Sequence, residues 1–123
     1  MNNARLTRRH RLLESNDFKC VFSKQPCRLV DASFTLLCIH NRLDFARLGL
    51  AIARKTIKRA LGRNRIKRIV RESFRHHKVQ LKGFDIVVMS RNGSEKKSNK
   101  ELFDSLDNHW RKVADQCESH YSN

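Results

Sequence analysis

Proline is almost missing from this 123-residue chain: Pro26 stands alone, and only four glycines accompany it. A chain so poor in both has no room for a Pro/Gly-rich linker, and no repeat or low-complexity tract appears either. Long apolar runs are absent too. Nothing approaches the ~20 residues needed to cross a bilayer. The opening MNNARLTRRHRLLESNDF carries arginines but no apolar stretch behind them, so it is not expected to act as a secretory signal. Cysteine is sparse, at positions 20, 27, 38 and 117, and no C-x-x-C spacing or paired framework is visible. Zinc binding is not expected on these spacings. The expectation is reduced thiols in a cytoplasmic protein, with Cys38 and Cys117 in the core.

Catalytic constellations are lacking as well. No nucleophile motif, paired carboxylates or HxxxH-type cluster occurs. His76 and His77 are adjacent, but neighbours on a helix diverge by about 100° and do not converge on one phosphate.

Acid is the scarcest commodity where base is densest. Residues 54–78 hold eleven Lys/Arg against Glu72 alone, whereas residues 101–123 hold five acids against Arg111 and Lys112. The overall net charge is +15. A solvated face normally mixes signs, so one concentrated cationic element points to a polyanionic partner. The chain length suits a single domain spanning residues 1–123, and 39% apolar composition supports a true core. Residues 1–11, with four arginines and no acid, are expected to form a mobile basic arm.

Periodicity organises the rest. A short helix through NDFKCVFSK brings Phe18, Val21 and Phe22 to one face. LVDASFTLLCIH (29–40) alternates as a strand, with Ala32, Phe34, Leu36 and Cys38 pointing one way. ARLGLAIAR (46–54) alternates Leu48, Leu50 and Ile52 against Arg47, Gly49, Ala51 and Ala53, and is expected to pair antiparallel with it. A basic helix follows over roughly 57–78, then the strand FDIVVMS (84–90). The final helix opens with a capping box, Ser98 and Glu101. Its stripe is Leu102, Phe103, Leu106, Trp110, Val113 and Cys117, which makes Trp110 a packing residue. The fold class is therefore α+β, a small mixed sheet with helices packed against it and a parallel strand–helix–strand crossover.

On a helical wheel, Ile66, Ile69, Val70, Ser73 and Phe74 fall within about 140° of arc. Asn64, Lys67, Arg68, Arg71 and Arg75 fall opposite, with Arg63 and Arg65 on the flanks and Glu72 near Arg65. Lys55, Lys58 and Arg59 extend the charge past the helix start. Arginine forks onto phosphate oxygens, and Asn64 offers a donor–acceptor pair to a sugar or base edge. The flanking elements read as strands, so the helix is not part of a helix-turn-helix. Its apolar residues are claimed by the core, so it is not an interfacial membrane helix. RNA is the favoured polyanion. Phe18, Phe22, Phe34 and Leu36 either floor an apolar groove for unstacked bases or belong to the core; the pattern alone leaves both open.

Four segments carry a family resemblance. RNRIKRIVRESFR resembles the RNR signature of the protein subunit of bacterial ribonuclease P. RLLESNDFKCVF, LGLAIARKTIKRALGRNRIKR and FDIVVMSR are similar to the other conserved passages of that family, in the same order. The resemblance implies an αβββαβα sandwich, which splits the 29–40 strand in two. It implies a ribonucleoprotein that removes the 5′ leader of precursor tRNA by magnesium-dependent hydrolysis. The RNA subunit performs the chemistry and holds the metal; no organic cofactor, membrane or small-molecule substrate is involved. By motif match, Arg63, Asn64, Arg65, Lys67, Arg68 and Arg71 contact the RNA subunit, with Lys55 and Arg75 extending that surface. A cleft between the first helix and the sheet receives the leader; Phe18 and Phe22 match it, and Phe34 and Leu36 are the candidates for its floor. The chain departs from the family in TIKRA, which lacks a glycine after the basic pair, in Arg54, and in Gly62, whose place within a helix costs about 1 kcal/mol against alanine. The other role considered is that of a ribosomal or ribosome-assembly RNA-binding protein.

Overall fold

A computed structural model describes Lys19 and residues 21–117. The expected basic arm, Phe18 and most of the first helix lie outside the described residues; residues 21–23 are helical. Four strands follow: β1 (Cys27–Val30), β2 (Phe34–His40), β3 (Arg47–Ala51) and β4 (Phe84–Ser90). Helix α1 (Ala60–His77) joins β3 to β4, and helix α2 (Asn99–Lys112) follows a 3-10 turn at Ser94–Lys96. A π-helical turn, Val113–Cys117, continues α2.

The 29–40 segment is two strands, as the resemblance implied and simple alternation did not. Asp31 breaks it: its Oδ1 accepts the amides of Ser33 (2.8 Å) and Phe34 (2.9 Å), turning the chain back on itself. Oδ2 of the same carboxylate accepts the Ser105 hydroxyl and lies 3.2 Å from Nε2 of buried His109, which ties the turn to α2. Burial pushes the Asp31 carboxyl up, but the bonds from Ser105, Phe34 and Ser33 outweigh it and leave the group below its ordinary value. Burial of His109 pulls its imidazole down against the pull of Asp31.

Strand order is β1-β2-β4-β3. The antiparallel pairing expected between the second and third strands is therefore corrected. β4 lies between them, antiparallel to β2 and parallel to β3. The crossover through α1 leaves a place for β4 in the middle of the sheet, where FDIVVMS, apolar on both sides, suits full enclosure. The crossover helix begins at Ala60 rather than 57, because Thr56 and Ile57 donate back to the Ala53 carbonyl in a tight turn.

One sheet face carries both helices. Leu29, Phe34, Leu36, Leu48, Ile86 and Val88 meet Ile66, Val70 and Phe74 of α1 and Leu102, Leu106 and Trp110 of α2. The Trp110 indole donates to Ser73 Oγ (2.8 Å), which explains why a serine sits in the apolar stripe of α1. The Ser98–Glu101 capping box opens α2 as expected. The opposite sheet face holds a smaller cluster of Val21, Leu37, Ile39 and Val87, with Ala51 and Met89 against it.

The thiol expectation is corrected at two positions. Cys27 on edge strand β1 and Cys117 in the π-helical turn form a disulfide, their Cα atoms 5.5 Å apart. A separation of ninety residues hides that pairing from spacing rules. Cys38 lies outside the disulfide as a buried thiol, which burial pushes far up.

Candidate nucleic-acid interface

The residues α1 buries are Ile66, Ile69, Val70, Ser73 and Phe74, the whole set on the apolar arc of the wheel. Anchoring by these side chains, each worth about 1.5–3 kcal/mol when buried, fixes what the other side presents. Asn64, Arg68 and Arg71 are exposed and Lys67 and Arg75 half-buried. Among the described residues, the side chains of Asn64, Lys67 and Arg68 form no hydrogen bond or ion pair. Arg71 has a partner within the chain. Arg75 forks onto Glu72 through Nε (2.8 Å) and Nη2 (2.6 Å), with His76 Nε2 at 3.4 Å. Those hydrogen bonds from Arg75 hold the Glu72 carboxyl below its ordinary value. Glu72 thus pairs with Arg75, not Arg65, as i,i+3 spacing favours.

The two arginines of the RNR signature behave differently from the ridge. Arg63 Nη1 donates to the carbonyls of Ile57 (2.9 Å) and Lys58 (2.8 Å), in the segment entering α1. Arg65 donates to the carbonyls of Glu95 (3.1 Å) and Lys97 (2.7 Å), and through Nε and Nη2 to Asn99 Oδ1. Each guanidinium thus ties α1 to a neighbouring loop. Between those loops runs a groove of about 630 Å³. Lys55, Lys58, Arg59 and Lys96 line it with Leu61 and Gly62 of α1. Gly62 is explained here: a Cβ would stand 2.9 Å from Cγ2 of Ile57, which is buried against that turn of the helix.

The second surface is the sheet face turned away from α1 and α2. Phe34 and Leu36 are not part of it. Both are fully buried in the helix-side core, so their candidacy as cleft floor is corrected. Side chains alternate along a strand, and it is their neighbours Thr35, Leu37 and Ile39 that share a face with Val21 of the first helix. Strand alternation separated the two sets correctly; the choice of which set faced the first helix needed the helices in place. Phe22 is 49% exposed, a large apolar side chain left at this edge. Toward the other end of the face, Arg28, Thr35, Met89 and Arg91 line an open groove of about 440 Å³. Thr56 and Asn92 line both this groove and the one at the start of α1, and a Thr56–Ser90 hydroxyl contact of 2.9 Å braces the junction. Asp85, buried on the same face, accepts a two-pronged bond from Arg47 and one from Asn41 (2.8 Å), so its charge is compensated internally.

Among the described residues, no group of three His, Cys, Asp or Glu is placed to hold a metal ion. No helix among them is long and apolar enough to cross a membrane.

Comparison with known proteins bears on what these surfaces meet. Residues 6–114 match the family model described as Ribonuclease P. The chain is 47% identical over 112 residues to the ribonuclease P protein component of Pseudoalteromonas atlantica, covering 91% of this chain and 92% of that protein. It is 45% identical over 104 residues to the component from a Marinomonas species, covering 85% and 79%. Among solved structures, the RNase P protein of Staphylococcus aureus superposes with a TM-score of 0.77 at 28% identity, over 88% of this chain and 97% of that one. The RNase P protein of Thermotoga maritima superposes at 0.75 and 33% identity, over 84% and 96%.

Proposed function

This chain belongs to the ribonuclease P protein family, the protein subunit of the endonuclease that processes tRNA 5′ ends, and from that premise we propose how it divides its work between two RNAs. The outward face of α1 binds the RNA subunit. The open sheet face, with Phe22 and the groove beyond it, receives the single-stranded 5′ leader of precursor tRNA. Removal of the leader is magnesium-dependent and belongs to the RNA. In this chain, Glu72 and Asp85 are already paired with arginines.

The observation that carries this reading is the segregation of α1. Its five buried residues face the sheet and α2, and the cations Lys67 and Arg68, unpaired among the described residues, stand on the other side. Two folded RNAs repel each other. A rigid cationic body between them neutralises phosphates and releases counterions, so docking needs less magnesium. The protein's contribution is binding and positioning rather than bond cleavage.

The test is precursor-tRNA cleavage at low magnesium with protein alone, RNA subunit alone, and both. Cleavage that requires the mixture is the expected result. Cleavage by the protein alone points to a self-sufficient nuclease, and no effect in any arm points to a ribosomal or assembly role.

A further inference from the structure

Leu61 is 82% exposed, and it stands among Lys55, Lys58, Arg59 and Lys96 at the mouth of the groove beside the start of α1. Its side chain belongs to neither buried cluster, so it is available to a ligand in the groove. We infer that this groove is a nucleotide subsite: an unpaired base of the RNA subunit inserts against Leu61, and the cationic rim holds the phosphates on either side of it. The inference rests on the assignment of α1 to the RNA subunit and specifies what that helix reads.

Three observations carry it. The rim holds four cations against Glu95, so it complements a polyanion. The exposed leucine gives this otherwise charged groove an apolar surface, and covering it with the face of an unpaired base removes apolar area from water. Finally, the signature arginines are committed to the walls. Arg63 binds the carbonyls of Ile57 and Lys58 on one lip, and Arg65 the carbonyls of Glu95 and Lys97 on the other. They act as positioning residues that set the width of the groove, while Lys67 and Arg68, with no partner among the described residues, face outward. The groove lies on the same helix as the ridge, which commits it to the RNA subunit rather than to the leader.

The experiment measures binding of full-length protein to a bacterial ribonuclease P RNA, with nucleotide-resolution chemical probing of the RNA, for Leu61→Gln, Arg65→Lys and Arg68→Ala. Leu61→Gln is expected to weaken binding about tenfold, in the range of a lost base contact. Its melting temperature should stay at the wild-type value, and one unpaired nucleotide should lose protection. Arg65→Lys should lose protection at that same nucleotide while the other protections persist, a pattern that general destabilisation would not produce. If Leu61→Gln binds as tightly as wild type while Arg68→Ala is weakened, the subsite is wrong and the ridge stands. If Leu61→Gln alters only leader-dependent cleavage, the assignment to the RNA subunit is overturned. If the wild-type protein fails to bind the RNA at all, the subsite falls together with the proposed function.

Discussion

The two faces of the sheet are built by alternate residues of the same four strands, yet they do opposite things. On the helix side, Phe34, Leu36, Cys38, Ile86 and Val88 are fully buried beneath α1 and α2. On the other side, Leu37, Ile39 and Val87 are covered by Val21, while Thr35 and Met89 open onto a groove edged by Arg28 and Arg91. A closed face stabilises; a half-covered face is free to bind. A residue's neighbour in sequence can therefore belong to the opposite category, and substitutions one position apart should separate stability from RNA binding.

The largest separation is expected on the closed face. Phe34→Ala should cost about 3–5 kcal/mol of stability through lost burial and a cavity, read as a fall in the denaturant midpoint. If leader affinity of the folded fraction falls as well, Phe34 reaches the cleft and the division of faces fails. Arg65→Ala comes next. It removes four hydrogen bonds that tie α1 to residues 95–99, at about 1 kcal/mol or more for each that is not replaced by water. Thermal unfolding measures that loss directly.

Phe22→Ala works on the open face. Half-exposed as it is, Phe22 should matter little for stability, but loss of one base-stacking contact should weaken binding by about 1–3 kcal/mol. The loss should appear with long-leader precursors and vanish with leaderless tRNA; an equal loss for both would remove the leader from this face. Arg68→Ala should leave stability within about 0.5 kcal/mol. Its signature is a salt slope for RNA-subunit binding shallower by about one.

The smallest effect is a pH dependence. Burial lowers the His109 pKa from its ordinary 6.5. The unfolded chain therefore takes up the proton first, and stability is complete above about 6.5 and falls as the pH drops below it. The lowered Asp31 carboxyl adds a further loss nearer its ordinary 3.8. His109→Gln should flatten the melting temperature between pH 7 and 5 while leaving the more acidic loss in place.

Much of this was legible beforehand because helical periodicity is local. The buried set of α1, the capping box of α2 and the bounds of β4 all follow from side-chain spacing along one element. Which face of the sheet stays open was not, since alternation shows that Phe34 and Leu37 face opposite ways without saying which side the helices cover. The separate work of Arg63 and Arg65 was also hidden. Arg63 bonds only backbone carbonyls, and Arg65 finds carbonyls thirty or more residues away together with the side chain of Asn99, contacts of which the local sequence carries no trace. Leu61 escaped notice because a leucine in a helix reads as core until the neighbouring elements leave it in water.

By itself the sequence determined the α+β class, the cationic helix with its anchored underside, and a polyanionic partner. These depend on composition and on repeats within single elements, which fold against any apolar surface in the same way. Tertiary structure alone decided that β4 separates β2 from β3, that Cys27 meets Cys117, and that the signature arginines on the flanks of the ridge tie α1 to neighbouring loops. Each of those depends on which distant segments become neighbours, and that is settled by the joint packing of the whole core.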